Sequence, residues 1–309
     1  MKIGVFVGDP DAGSDLGSLD RAVRAAVEAE QAGFDSAWYP QIFRIDALTA
    51  IALAAKETER IELGTCVVPV YTRHPHALAQ QAVTVQAAAG GRFVLGIGLS
   101  HQPVVEGMWG LSYDKPARHM REYLSVLRPL VTEGRVAFSG EVFRVNAVLQ
   151  VDGATPFSIV IAALAPAMLR IAGELADGTV TWMTGPKTVE THIVPSITAG
   201  AKAAGRPQPR VCVALPIAVT DDAAGARARA GQIFQMYGHL PNYRRVLDME
   251  GAAGPADVAV VGNEAEVERQ LRALAAAGAT DLVAVEFPGD DKGSMPRTRE
   301  LLKGLVGKV

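Results

Sequence analysis

The residues whose type and spacing suit them to ligand binding or proton transfer fall in a few short tracts. Gly96-Ile97-Gly98 runs directly into Leu99-Ser100-His101. No third glycine follows at dinucleotide spacing and no helix opens there, so the tract is not a Rossmann fingerprint. Its glycines either let a flat ligand approach the backbone or serve a bend at a strand end. Ala163-Leu164-Ala165-Pro166 and Met183-Thr184-Gly185-Pro186 each place small residues ahead of a proline. Proline in a first helical turn leaves neighbouring amides free for an anion, and the same pattern also occurs in ordinary barrel loops. Arg73 and His74 precede Pro75; they suit either an anionic contact or a helix entry. Cys66 and Cys212 are the only cysteines, too few for a disulfide framework or a metal site.

These tracts need elements to hold them. Runs rich in Val, Ile and Leu at residues 2–7, 34–39, 61–67, 92–98, 157–162, 178–182, 210–219 and 281–286 read as eight strands. Most are nearly continuous apolar runs, as in parallel sheets covered on both faces. Helical periodicity fills the intervals. Leu19, Val23 and Val27 form one face, stopped by Gly33, and Asp46 suits the cap of a helix running to about Thr58. Met120, Leu124, Leu127 and Val131 keep the 3.6-residue period up to Gly134. Asn263 with Glu266 resembles a capping box before Val267, Leu271 and Leu274, with Gly278 as the stop. Eight strands alternating with helices predict an α/β fold, a (β/α)8 TIM barrel occupying residues 1–309 as a single domain. About 60 residues exceed the minimal barrel. They go to insertions after the fourth strand, residues 99–115, and before the fifth, residues 134–155, and to the carboxyl-terminal segment. The second insertion contains a hairpin-like stretch at residues 136–145 turned by Ser139-Gly140. Barrel sites lie at the carboxyl ends of the strands, where every tract above falls, together with Tyr39-Pro40-Gln41-Ile42-Phe43.

Composition narrows the partners. The 309 residues carry 30 Lys+Arg against 33 Asp+Glu, a net charge of −3, with no basic stripe for a phosphate backbone, so no nucleic acid is expected. Mean hydropathy is +0.17, yet no run reaches the roughly 18 apolar residues of a membrane span. Asp9 and Asp11 interrupt any signal-type core, and with two lone cysteines a reducing cytoplasm is the expectation.

Longer tracts carry a family likeness. Residues 29–38 (AEQAGFDSAW), Leu63-Gly64-Thr65-Cys66-Val67 leading to Tyr71-Thr72-Arg73-His74-Pro75, and residues 91–98 (GRFVLGIG) are three of them. Met120-Arg121-Glu122-Tyr123-Leu124, Gly140-Glu141-Val142-Phe143 and Leu175-Ala176-Asp177-Gly178 are three more. Together they resemble the luciferase-like monooxygenase superfamily, in particular its coenzyme F420-dependent oxidoreductases. The Tyr-Thr-Arg-His-Pro tract is similar to methylenetetrahydromethanopterin reductases, which favours the deazaflavin F420 over FMN. The resemblance implies a non-proline cis peptide at Cys66–Val67, in a bulge backing the cofactor ring with Gly64 and Thr65 beside it. It places the ring against Gly96, Gly98, Leu99 and Ser100, and the phosphate tail near Ala163, Ala165, Thr184 and Gly185. Cys66 is then positional rather than nucleophilic, which is compatible with a buried structural thiol. A homodimer is implied by the same likeness alone.

One departure concerns the proton. Related dehydrogenases have a histidine soon after the strand-two tryptophan, where this chain has Trp38-Tyr39-Pro40-Gln41-Ile42-Phe43, and Ile42 cannot transfer a proton. Hydride transfer to a carbonyl, imine or activated alkene must be matched by a proton from a group within hydrogen-bond reach. His101 is the first candidate, then Tyr39, Gln41 and Glu106, with solvent as a further source; His101 also reads as a solvated loop histidine. Trp38 is assigned to the core, and Trp109 and Trp182 to apolar pocket walls. An FMN-dependent monooxygenase and a non-catalytic flavin-binding protein are the alternatives.

Overall fold

A computed structural model describes residues 1–8, 19–289 and 293–309; Asp9 and Asp11 lie outside them. Twelve strands are present among the described residues: β1 (Lys2–Phe6), β2 (Ser36–Tyr39), β3 (Glu62–Thr65), β4 (Val68–Pro69), β5 (Phe93–Gly98), β6 (Arg135–Ser139), β7 (Arg144–Val148), β8 (Ser158–Ala162), β9 (Gly178–Trp182), β10 (Arg210–Val219), β11 (Val260–Gly262) and β12 (Asp281–Glu286). Parallel pairing runs β1-β2-β3-β5-β8-β9-β10-β12 and returns to β1, closing an eight-stranded barrel. These are the eight strands read from the sequence. β4 continues the third strand beyond a break at residues 66–67, and β11 flanks β10. β6 and β7 form the hairpin of the second insertion, antiparallel and separate from the barrel. No helix among the described residues is long and apolar enough to cross a membrane.

The helix signals act as expected at their ends. Asp46 accepts from the Thr49 amide at 2.8 Å. Asn263 and Glu266 form a reciprocal capping box, and Gly134 and Gly278 stand at positive φ where their helices stop. Met120, Leu124, Leu127 and Val131 are buried. The first helix, Leu19–Gln31, differs. Its fully buried face is Ala22, Ala26 and Ala29, while Leu19, Val23 and Val27 are half-exposed. The smallest side chains sit where the helix comes nearest the barrel, and the larger ones flank that contact.

Alternation along the strands divides the apolar residues into two groups. One set faces the helices. The other fills the barrel interior: Trp38, Val94, Val160, Val180, Cys212, Ala214 and Val283. Trp38 is the largest of them and needs space from two neighbours. A methyl group on Gly64 would lie 2.6 Å from the Trp38 ring, and one on Gly4 would lie 2.9 Å from its nitrogen. Gly4 and Gly64 are therefore the complement of a bulky plug, whose N–H donates to Ser36 Oγ at 2.8 Å.

Candidate active site

The carboxyl end of the barrel begins where Trp38 stops filling it. On β3 the chain breaks out of the sheet through a cis peptide at Cys66–Val67, the position implied by the family likeness. Thr65, fully buried, fixes this bulge to β5: its hydroxyl donates to the Gly96 carbonyl at 2.7 Å and accepts from the Gly96 amide at 2.8 Å. A methyl on Gly96 would collide with the Thr65 carbonyl, and one on Gly98 would meet Val67 Cγ2 at 2.7 Å. The two glycines therefore serve close packing against the bulge, whatever ligand lies beyond it. Gly64 faces Trp38 and the Thr65 hydroxyl is spent on Gly96, so both support the site from behind.

Leu99, Ser100 and His101 are half-buried just past β5. Ser100 (φ 61°) and Met183 (φ 55°) are two of the three described non-glycine residues at positive φ, and both end barrel strands at this mouth. Such conformations cost about 1–3 kcal/mol each and concentrate at functional sites. The Cys66 side chain also faces the mouth, and burial pushes its thiol up to about 12, so it stays protonated. That agrees with a positional role.

His101 opens a short helix, Gln102–Gly107, without capping it. Burial lowers its pKa, leaving a neutral imidazole at pH 7, with its ring 5.7 Å from that of Tyr243. The other three candidates for the proton are elsewhere. Tyr39 follows the inward-facing Trp38, so it points outward: its hydroxyl donates to the Ala22 carbonyl of the first helix at 2.9 Å, and burial pushes its pKa well above the ordinary value. The Gln41 side chain accepts from the Ala47 amide at 3.1 Å, at the entry of the helix Ala47–Glu57. Both corrections follow from strand alternation and capping. Glu106 is exposed and accepts from Gln102 and from the Tyr113 amide. Arg73 pairs with Asp46 at 2.5 Å, and the His74 ring caps its own helix through the His76 amide, which makes both helix-entry residues.

The two proline-led helix entries differ. Helix Pro166–Leu175 starts at Ala165 with no side-chain cap, so its first amides remain available to an anion. The helical turn beginning at Pro186 is already occupied. Glu250 accepts from the amides of Lys187 (3.2 Å) and Thr188 (2.7 Å) and from the Thr188 hydroxyl (2.7 Å). A methyl on Gly185 would run into that carboxylate. Gly185 is therefore required by an internal carboxylate, while Thr184 is buried with its hydroxyl on the Trp182 carbonyl.

Glu250 ends the helix Pro241–Glu250, and this helix with the turn before it brings residues that the sequence did not reveal. Tyr243 packs edge-on to Tyr237 at 5.1 Å, Tyr237 to Trp182 at 5.6 Å, and Trp182 to Phe234 at 5.5 Å. With His101 they form a continuous aromatic wall. Burial pushes the pKa of both tyrosines up, with the nearby Cys66 adding to the effect, so both remain neutral phenols. Trp182 thus belongs to an aromatic cluster with Phe234 and Tyr237 at this end of the barrel. A second aromatic group, Tyr71 stacked on His119 at 4.2 Å and followed by Phe143 at 5.2 Å, lies beneath the insertions. Glu122 supports it from below, accepting from the amides of Glu141, Val142 and Phe143 at the hairpin turn. Two of the family-like tracts are therefore in direct contact.

Residues 1–283 match the luciferase-like monooxygenase family model. The chain is 31% identical over 234 residues to the 5,10-methylenetetrahydromethanopterin reductase of Methanolobus tindarius, covering 74% of this chain and 71% of that protein. It is 26% identical over 325 residues to a putative coenzyme F420-dependent oxidoreductase of Mycobacterium tuberculosis, covering 88% and 91%. Among solved structures, the coenzyme F420-dependent tetrahydromethanopterin reductase from Methanopyrus kandleri superposes with a TM-score of 0.79 at 22% identity, over 100% of this chain and 98% of that one. At that identity the superposition speaks for the fold.

Proposed function

The chain belongs to the luciferase-like monooxygenase family, and from that premise we propose that it is an oxidoreductase that binds coenzyme F420 and passes hydride between this deazaflavin and a small organic carbonyl, imine or activated alkene. The observation that carries the proposal is the division of the mouth. An uncharged face made by the residue 66–67 bulge, Leu99, Ser100 and the aromatic wall adjoins the uncapped entry of helix Pro166–Leu175. A flat ring with an anionic tail fits that division, because the ring meets apolar and neutral groups while the tail meets free amides. The relative from Mycobacterium tuberculosis named for coenzyme F420 supports the choice of deazaflavin over FMN.

Bound there, the deazaflavin supplies the hydride chemistry and the chain supplies placement. The bulge and Leu99 would back the ring, and the amides after Ala165 would hold the phosphate. Glu250 fills the other helix entry, so its negative charge directs an anion toward Ala163 and Ala165. His101, neutral and free of side-chain hydrogen bonds among the described residues, is the group at the mouth able to give and take a proton at a ring nitrogen. The aromatic wall excludes water around it.

Turnover tests the proposal. Reduced F420 should be oxidised by at least one member of a panel of ketones, imines and enones. Binding of F420 without oxidation by any member would instead mark a non-catalytic binding protein.

A further inference from the structure

The aromatic wall has an unusual balance of donors and acceptors. Trp182, Tyr237 and Tyr243 contribute an indole N–H and two phenolic hydroxyls to one face of the mouth. The Trp182 nitrogen is buried beside the Tyr237 side chain, close enough to act on its hydroxyl, yet it completes no hydrogen bond of ordinary geometry. Neither carboxylate held near this region is free to serve them. Glu250 is committed to Lys187 and Thr188, and Glu106 to Gln102 and Tyr113. A buried donor without an acceptor costs about 1–3 kcal/mol, so a ligand whose acceptor reaches the Trp182 N–H recovers that cost, and the half-buried Tyr243 at the same wall offers a second donor to it. The walls are ring faces and edges, which suit a flat apolar body.

We propose that the wall formed by Trp182, Tyr237 and Tyr243 is the substrate subsite and that it selects an uncharged, flat substrate by its carbonyl oxygen, with Tyr243 as the principal donor. The assignment rests on the oxidoreductase reading above and narrows it to substrates bearing a carbonyl oxygen, ketones and enones alike, because an alkene without a carbonyl offers no oxygen acceptor to these groups and an iminium brings a further donor. Tyr243 owes its position to Glu250 at the far end of the same helix: the carboxylate fastens the helix to Lys187 and Thr188 while the tyrosine meets His101 and Tyr237 at the other end.

Direct binding to the cofactor-free protein tests this without turnover. Acetophenone and α-methylstyrene share shape and ring and differ in C=O against C=CH2. Titration calorimetry should show acetophenone binding about tenfold more tightly, the equivalent of about 1.4 kcal/mol. Tyr243→Phe keeps the ring packing and should bring the two dissociation constants to within about twofold, chiefly by weakening acetophenone. If Tyr243→Phe fails to fold, Trp182→Phe should also reduce the preference. Equal affinities in the unmodified protein, a preference that both variants retain, or no acetophenone binding at millimolar concentration would each overturn the assignment. F420 titrated separately into the same preparations distinguishes failure of the cofactor reading, which leaves the two-probe ratio unaffected.

Discussion

At the amino-terminal end of the barrel, Arg210 on β10 is held between Glu62 on β3, at 2.7 Å, and Asp281 on β12, at 2.5 Å, with the Thr280 hydroxyl also on Asp281. Each of these polar groups has a partner, and together they tie three strand starts. At the carboxyl end, the buried Trp182 nitrogen completes no hydrogen bond, the Tyr237 and Tyr243 rings pack in the same wall, and two strands finish in left-handed residues. The same eight strands thus carry one end tied by the satisfied Arg210 cluster, which stabilises the barrel, and an unsatisfied end, where the Trp182 N–H is open to a ligand's acceptor. Disruption of the first should be read out in folding, and disruption of the second in binding and turnover.

The largest effect should come from the satisfied end. Arg210→Met leaves Asp281, 2% exposed, without its counter-charge; removal of one partner from a buried pair typically costs about 3–5 kcal/mol. Urea unfolding at neutral pH should show that loss, and a change below about 1 kcal/mol would show the group to be no more than a surface ion pair. Acid sharpens the same point. Burial alone would raise the Asp281 pKa, but the hydrogen bonds and charge of Arg210, with the Thr280 hydroxyl, outweigh it and hold the carboxyl below its ordinary value. A folded-state pKa below the unfolded one gives stability that is fully present above about pH 3.9 and lost as pH falls through the folded value. The difference between the unmodified protein and Arg210→Met should therefore shrink on acidification below about pH 4, as followed by unfolding curves across that range.

Smaller effects on stability and larger ones on function belong to the mouth. Glu250→Ala frees the Lys187 and Thr188 amides and loosens the helix that carries Tyr243. It should cost about 1–3 kcal/mol in unfolding free energy and raise the KM for substrate several-fold, with Glu250→Gln recovering part of both. Unchanged KM in Glu250→Ala would separate the strap from the wall. His101→Ala should change stability least while lowering turnover about 10²-fold or more, with F420 affinity retained. Steady-state rates beside a binding titration measure the two, and unchanged turnover would remove His101 from the reaction.

The strands, the caps and the bulge were legible because each leaves a local trace: apolar runs of strand length, Asp46 and Asn263 at helix starts, and the tract around Cys66. Alternation was also legible but underused, since an inward Trp38 obliges Tyr39 to face the first helix. What the sequence hid is long-range. Glu250 meets Lys187 and Thr188 more than sixty positions away, and Tyr243 meets His101 across most of the barrel, so no window of sequence brings them together. Gly238 and Pro241 interrupt the periodicity that would have marked the residue 234–250 segment as an element of the site. Thr65 and Gly185 have types that suit a ligand equally well, and only the Gly96 backbone and the Glu250 carboxylate beside them show how they are used.

What the unsatisfied end binds decides between a deazaflavin and a flavin enzyme. Oxidised F420 and FMN, titrated separately into the cofactor-free protein and followed by fluorescence and binding heat, give the decisive comparison. The account predicts F420 binding at micromolar concentration with FMN weaker by at least about tenfold, or about 1.4 kcal/mol. FMN binding at micromolar concentration with no binding of F420 would contradict it and mark the chain as a flavin-dependent member of the family.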